Sequence, residues 1–316
     1  MSPPTSPNAS PARGTYLAAV GFMLASICLG GLMNGLIKWL SADYATLQII
    51  CFRAVFGLAP VLAFLWMSGG FGQLRTSRPL GHLIRSLVGG TSMLCAFYGY
   101  GHLPLVNAQV LSYATPMFVT IVAMLLFGEV VRLRRWSALA IGFAGIVLVL
   151  QPGPGFLRGL ADSPAPVIML CGCLFAGFAA NLIRQLSRTE STAAIVFFYT
   201  AILAVISSVA AAFAWRTPVR LLDWALLIGL GLMGGVSQLC MTAAYKRAQL
   251  STIAPFEYLM ILTALGLGFF VWGEVPTWLT LVGAAVVIAS SLYIVLREAQ
   301  LRLPRPGFLG RTRARE

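Results

Sequence analysis

Three ionisable side chains stand inside otherwise apolar runs of this sequence: Arg53, Arg85 and Glu257. At the centre of a spanning helix such a charge costs about 2.5–3.5 kcal/mol on insertion scales, so it usually faces protein or a water-filled path. A guanidinium there could clamp the carboxylate or phosphate of a small anion. Near an interface it could equally snorkel to water along its stem. Both readings stand open for Arg53 and for the shallower Arg85. Glu257 has a short side chain that snorkels poorly. It could ligate a cationic or amine group, carry a coupling proton, or pair with Arg85. Pro255 precedes it by two residues, and Pro116 stands in another apolar run. Each proline frees a backbone carbonyl and kinks a helix, which spanning segments tolerate where they line a cavity. Lys38, Asn34, Tyr98, Tyr113, Tyr258 and Gln238 complete the candidates. Each suits either a ligand contact or a helix–helix hydrogen bond.

The elements that must position these residues are spanning helices. Of 316 residues, 59% are hydrophobic and only 10% charged, against about 25% charged in soluble domains. The composition is that of an all-α integral membrane protein. A spanning helix needs about 20 apolar residues. Ten runs qualify, at residues 17–37, 46–67, 81–101, 105–127, 136–151, 165–183, 192–214, 222–244, 250–272 and 277–296. The first is too long for a signal-peptide core and is followed by many more such runs.

The net charge of +13 needs no nucleic acid, because cytoplasmic loops collect Lys and Arg. With the N-terminus in the cytoplasm, 16 of the 22 cations fall on cytoplasmic segments and four on outer ones. Both termini are therefore expected inside. Six cysteines lie in apolar runs, and the Cys171-x-Cys173 pair points to different helix faces, which suits packing rather than a disulfide or metal site. His82 and His102 have no metal-ligand spacing around them. No G-x-x-x-x-G-K-[ST] loop is present, so ATP is not the direct energy source. No cofactor is implied, and no cluster of acid, base and metal ligands supports an enzyme.

A shift of 145 residues aligns the two halves. Gly89-Gly90 falls on Gly234-Gly235, Leu94-Cys95 on Leu239-Cys240, Tyr113 on Tyr258, and "FGEV" (127–130) on "WGEV" (272–275). Near the start of each half, "NGLIKWLS" (34–41) matches "ANLIRQLS" (180–187) at a shift of 146, pairing Lys38 with Arg184. Five spans per copy is an odd number, so the second copy enters the membrane inverted. Tyr113 and Tyr258 are expected near the pseudo-symmetry axis. Glu129 and Glu274 are expected at helix ends on opposite faces, each able to pair with a nearby cation or mark a gate.

The stretches "QIICFRAVFG" (48–57), "LPLVNAQVLSYATPMFVTIVAMLLFGEVVRLRRWSALAIGFAGIVLVL" (103–150) and "APFEYLMILTALGLGFFVWGEVPTWLTLVGAAVVIAS" (254–290) resemble the EamA type of the drug/metabolite transporter superfamily. The resemblance covers residues 17–297. It implies ten helices in two inverted five-helix repeats around a central cavity, with helices three, four, eight and nine contributing. Copy two departs from copy one at Phe198, opposite Arg53, and at Ile261, opposite Pro116. The expected organisation is a disordered cytoplasmic tail (1–15), two repeats (16–151 and 152–297), and a basic cytoplasmic tail (298–316) able to touch anionic membrane lipid. The expected function is a secondary carrier for a small-molecule substrate such as an amino acid or nucleotide-like derivative, driven by an ion gradient or by the substrate's own gradient, with Glu257 the residue to test for proton coupling. A channel or scaffold is the alternative.

Overall fold

The computed structural model describes residues 13–67, 70–127, 133–151, 163–248 and 250–302. Arg13–Leu40 forms α1, Thr46–Met67 α2 and Pro79–His102 α3. Leu105–Ser112 forms α4, Thr115–Phe127 α5 and Leu133–Leu150 α6. In the second half, Ala165–Leu186 forms α7, Thr192–Ala212 α8 and Leu221–Arg247 α9. Leu250–Glu257 forms α10, Met260–Trp272 α11 and Trp278–Arg302 α12. Among the described residues, nine segments are long and apolar enough to cross a membrane, and Trp136–Leu150 is a shorter apolar helix. The protein is an all-helical, multi-pass integral membrane protein. Large apolar side chains left on the surface, such as Trp66, Phe213 and Phe270, are what a lipid-facing exterior requires.

The terminal boundaries differ from expectation. The first helix begins at Arg13 and the last runs to Arg302, so parts of both expected tails are helical. Residues 1–12 and 303–316, and Glu129 within 128–132, lie outside the described residues.

The fourth and ninth spans are not continuous helices with a proline kink. Each is broken once, at Tyr113-Ala114 and at Tyr258-Leu259. Both breaks are single tight turns, with Ala114 N–H bonded to Leu111 O at 3.0 Å and Leu259 N–H to Phe256 O at 2.9 Å. The fragments on either side correspond residue for residue at the 145 shift. Pro116 lies two residues beyond the first break, past Ala114, and Pro255 three before the second, ahead of Tyr258. A proline therefore flanks each break on a different side, and the shared position of the breaks does not follow the prolines. The carbonyls at the two turns find partners on other helices, the Tyr258 carbonyl in addition to the Ile261 N–H it accepts at 3.2 Å. Tyr258 O accepts the Tyr113 hydroxyl at 3.0 Å, and Tyr113 O accepts the Ser291 hydroxyl at 2.7 Å. Backbone groups inside a bilayer need such partners, since no water is there to supply them.

The principal packing runs between the halves: α1 lies on α9, α3 on α7, α2 on α8 and α9, and α6 on α12. Exchanging copy one for copy two maps α1–α9 onto α3–α7 and returns α2–α8 and α6–α12 to themselves, as a two-fold inverted repeat demands, while α2–α9 maps onto the smaller α3–α8 contact. Small residues allow the closest approaches. A Cβ on Gly283 would stand 2.7 Å from Gly145 O, and one on Gly231 2.6 Å from Phe52 O. At these crossings the backbones themselves are in contact.

Candidate functional site

On one face of the protein an ion pair joins the halves, beside a recess of about 250 Å³ that Glu274 also lines. Lys38, in the last turn of α1, meets Glu274 and also donates to Leu103 O at 2.8 Å. The other carboxylate oxygen of Glu274 accepts the Leu105 N–H at 2.7 Å, so Glu274 caps the start of α4 from the opposite half. A carboxylate there also meets the positive end of the helix dipole. The "WGEV" word explains how the acid is placed. Trp272 ends α11, Gly273 takes the left-handed conformation (φ 65°), and Glu274 N–H closes back onto Gly268 O at 2.9 Å. This αL cap needs glycine. Trp272 also covers the Lys38 ammonium at 5.4 Å and packs edge-on against Trp39. Glu274 is thus neither solvated nor idle. The sequence marks Lys38 and Glu274 separately, and 236 residues of separation hide the pair.

On the opposite face lies a cavity of about 230 Å³, reaching from Val61 and Gln238 to Gln73, Thr192 and Lys246. A smaller chamber of about 70 Å³ adjoins it and shares Val61, Val196 and Gln238; Arg53, Arg85 and Tyr199 line it. The structure therefore brings three of the sequence candidates, Arg53, Arg85 and Gln238, to one place. The Arg85 guanidinium lies over the Tyr199 ring, 3.7 Å from its centroid. Tyr199 carries no signal of its own in the sequence, because its register against α3 depends on how the two helices are rotated.

Glu257 does not pair with Arg85. Its carboxylate accepts the Tyr245 hydroxyl, from the last turns of α9, the helix that precedes α10 in the chain. Apolar residues of α1, including Met23 and Ile27, pack beside Tyr245. The remaining candidates serve the helix breaks or the surface. Asn34 donates to Gln109 Oε1, which also accepts the Tyr100 hydroxyl at 3.0 Å, and Gln109 in turn reaches Ser112 at the break. The Tyr113 and Tyr258 rings meet with centroids 4.9 Å apart. Tyr98 stacks on His102 with centroids 4.0 Å apart, away from both cavities.

Near the wider cavity, a second polar cluster joins the halves at the α7–α8 turn. Glu190 Oε1 accepts the Ser77 N–H and hydroxyl at 3.1 and 3.0 Å, and Oε2 lies 3.5 Å from His82 Nε2. Burial alone pushes the Glu190 carboxyl up, but the bonds from Ser77, Thr76 and His82 outweigh it and hold it below its ordinary range. A carboxylate held low stabilises the fold above its unfolded value near pH 4.5, and that stability is lost as pH falls through the lower folded value. Glu190→Gln is therefore expected to flatten the fall in thermal midpoint on acidification below about pH 4.5, read by thermal unfolding in detergent. An unchanged profile would remove Glu190 from that role.

No group of three or more potential metal ligands occurs among the described residues. A solved crystal structure at 17% identity matches 91% of this chain and 99% of its own with a TM-score of 0.59, a likeness of fold. Among curated proteins, the chain is 29% identical over 282 residues to the pseudopaline exporter CntI of Pseudomonas aeruginosa, covering 88% of this chain and 94% of that one. It is 27% identical over 284 residues to an S-adenosylmethionine uptake transporter of Rickettsia bellii (90% and 95% covered). It is 28% identical over 299 residues to a riboflavin transporter of Rhizobium johnstonii (93% and 95% covered). The family model of EamA-like transporters matches residues 17–151 and again 164–296, one match to each set of five spans. With the broken fourth and ninth spans and the interleaved halves already in place, these matches identify the chain as a member of the EamA-like transporter family.

Proposed function

We propose that the protein is a secondary carrier, moving a small metabolite across a bacterial inner or plasma membrane by alternating access. The observation that carries the reading is the opposition of an ion pair joining the halves on one face and a cavity that leads to the buried arginines from the other. Lys38 and Glu274 latch one side across the halves, while the 230 Å³ cavity lies towards the other. Rocking of inverted halves about a central site would exchange these roles. The positive-inside bias supports placing both termini, and the mouth of the cavity, in the cytoplasm. The cavity falls just below the range of about 300–1,000 Å³ usual for small-molecule sites. That size favours an amino-acid-like substrate over a molecule as large as riboflavin.

The test is counterflow in proteoliposomes loaded in turn with amino acids, S-adenosylmethionine and riboflavin. Uptake of label driven by unlabelled substrate inside supports a carrier. Ion conductance without exchange would replace it with a channel. Glu257, hydrogen-bonded only to a neutral hydroxyl in the described structure, is the residue suited to carry a coupling proton. Glu257→Gln is expected to cut gradient-driven transport at least tenfold while sparing counterflow, which needs no net proton movement. Equal loss of both would make Glu257 a substrate ligand instead. Wild-type values for both would remove it from transport.

A further inference from the structure

The chamber lined by Arg53 and Arg85 holds two cations and no acid. No ion pair to either arginine is present among the described residues. Arg53 Nε and Arg85 Nε and Nη1 are shut off from solvent with no hydrogen-bond partner. The Tyr199 ring under Arg85 attracts the charge but saturates none of those N–H groups. Two like charges in a poorly hydrated chamber repel each other, and each has lost hydration.

The backbone makes room for both heads. A Cβ on Gly89 would stand 2.9 Å from Arg85 Nη1, and one on Gly234 3.3 Å from Arg53 Nε and Cζ. Gly89 and Gly234 are equivalent at the 145 shift. The same glycine position, used once in each half, seats one guanidinium each time. The arginines themselves have no counterparts in copy two, where Phe198 and Leu230 occupy their positions. The duplicated backbone supplies the cradle, and copy one alone supplies the charge.

We propose that Arg53 and Arg85 together form an anion site that takes the carboxylate of the transported molecule, whose body occupies the adjoining larger cavity. The proposal rests on the carrier reading above and names the substrate class. The donor set favours a carboxylate. The two guanidinium forks match its two oxygens. The Thr200 hydroxyl is already given to Val196 O at 2.9 Å and the Tyr199 hydroxyl to Gly89 O at 3.5 Å, which leaves the Gln238 amide as the side-chain donor not already given to a backbone carbonyl on the wall. The chamber's 70 Å³ is about the share of two waters, enough for a headgroup and too little for a whole metabolite. Gln238 belongs to both cavities and stands where headgroup and body would join.

The test is thermal unfolding of the purified full chain in detergent, titrated with sodium acetate, chloride or inorganic phosphate at constant ionic strength. Acetate is expected to raise the midpoint saturably, and more than chloride or phosphate. Arg53→Gln and Arg85→Gln are each expected to weaken the apparent acetate affinity roughly tenfold or more. Without anion, both variants should unfold no lower than wild type, because each removes an uncompensated charge. Gly89→Ala keeps both arginines, and its new methyl displaces only the mobile end of Arg85 and the Tyr199 edge. It too should weaken acetate binding in a folded protein. Undiminished acetate stabilisation in both arginine variants, or a lowered midpoint with an intact acetate response, would overturn the proposal in favour of a structural role. Stabilisation by phosphate or chloride in preference to acetate would overturn the carboxylate assignment. Binding is read here without turnover. An intact acetate response without counterflow therefore sinks the carrier reading alone, and counterflow without an acetate response sinks the anion site alone.

Discussion

Exchanging Lys38 for alanine is expected to open the latched face and shift the protein towards its other conformation. Both partners are largely buried, at 13% and 19% side-chain exposure. Breaking a fully buried pair costs about 3–5 kcal/mol, because the remaining charge is stranded. Here Leu105 N–H continues to hold Glu274, so about 2 kcal/mol is the reasonable figure, equivalent to a roughly 30-fold shift in population. The reporter is a single cysteine at the half-buried Asn107, which lines the recess beside the latch together with Glu274. The six native cysteines are replaced first. A membrane-impermeant maleimide should then label residue 107 at least ten times faster in Lys38→Ala than in the parent, in proportion to that shift. Lys38→Arg should stay close to the parent rate. The doubly reversed Lys38→Glu/Glu274→Lys variant should not return to it, because a lysine at 274 cannot accept the Leu105 N–H. Full rescue by reversal would mean that charge attraction alone makes the latch.

Valine at Gly231 is expected to be the most damaging single change to the fold. Its Cβ would lie 2.6 Å from both Phe52 O and Phe56 Cβ on α2. A carbonyl in a helix cannot swing aside, so α2 and α9 would have to separate. Overfilling a packed contact costs about 1–3 kcal/mol and occasionally more, and here three carbons meet a rigid neighbour. The separation would also disturb Gly234 and Gly235 one turn further along α9, where Arg53 and Pro60 are seated. Gly231→Val should lose the monodisperse peak on gel filtration, or unfold many degrees lower. Gly229→Ala, with nothing within 4 Å of its Cβ, is the control, expected within about 0.5 kcal/mol of wild type. Equal behaviour of the two variants would refute the backbone-contact account.

The sequence shows a great deal of this fold. Spans are legible because water-free surroundings force long apolar runs, and the 145-residue register is carried by residues such as Tyr113 and Tyr258 that apolar helices do not share cheaply. The breaks in the fourth and ninth spans were less visible. Proline suggests a kink, yet the breaks sit where the Tyr258 and Tyr113 carbonyls meet the hydroxyls of Tyr113 and Ser291 from other helices, and no local pattern encodes a long-range donor. For the candidate site, individual charges stand out and their partners do not. Arg53, Arg85, Lys38 and Glu257 are conspicuous in apolar surroundings. That Arg53 and Arg85 share a chamber, that Lys38 meets Glu274 and that Tyr245 meets Glu257 depend on the rotation of each helix about its axis. Membrane helices with apolar residues on all sides leave that rotation unwritten in the sequence.

The crossed hydrogen bonds at the two breaks bear on how the chain is made. Copy one has its carbonyl at Tyr113 satisfied by Ser291, in the last span, and Tyr113 in turn gives the carbonyl at Tyr258 a second bond beside the Ile261 N–H. A polypeptide emerging N-terminus first inserts its first five spans with that carbonyl still open to the bilayer. It stays open until the tenth span arrives. Neither copy is therefore a finished module during synthesis, and a nascent chain halted before residue 291 should remain a substrate for membrane quality control.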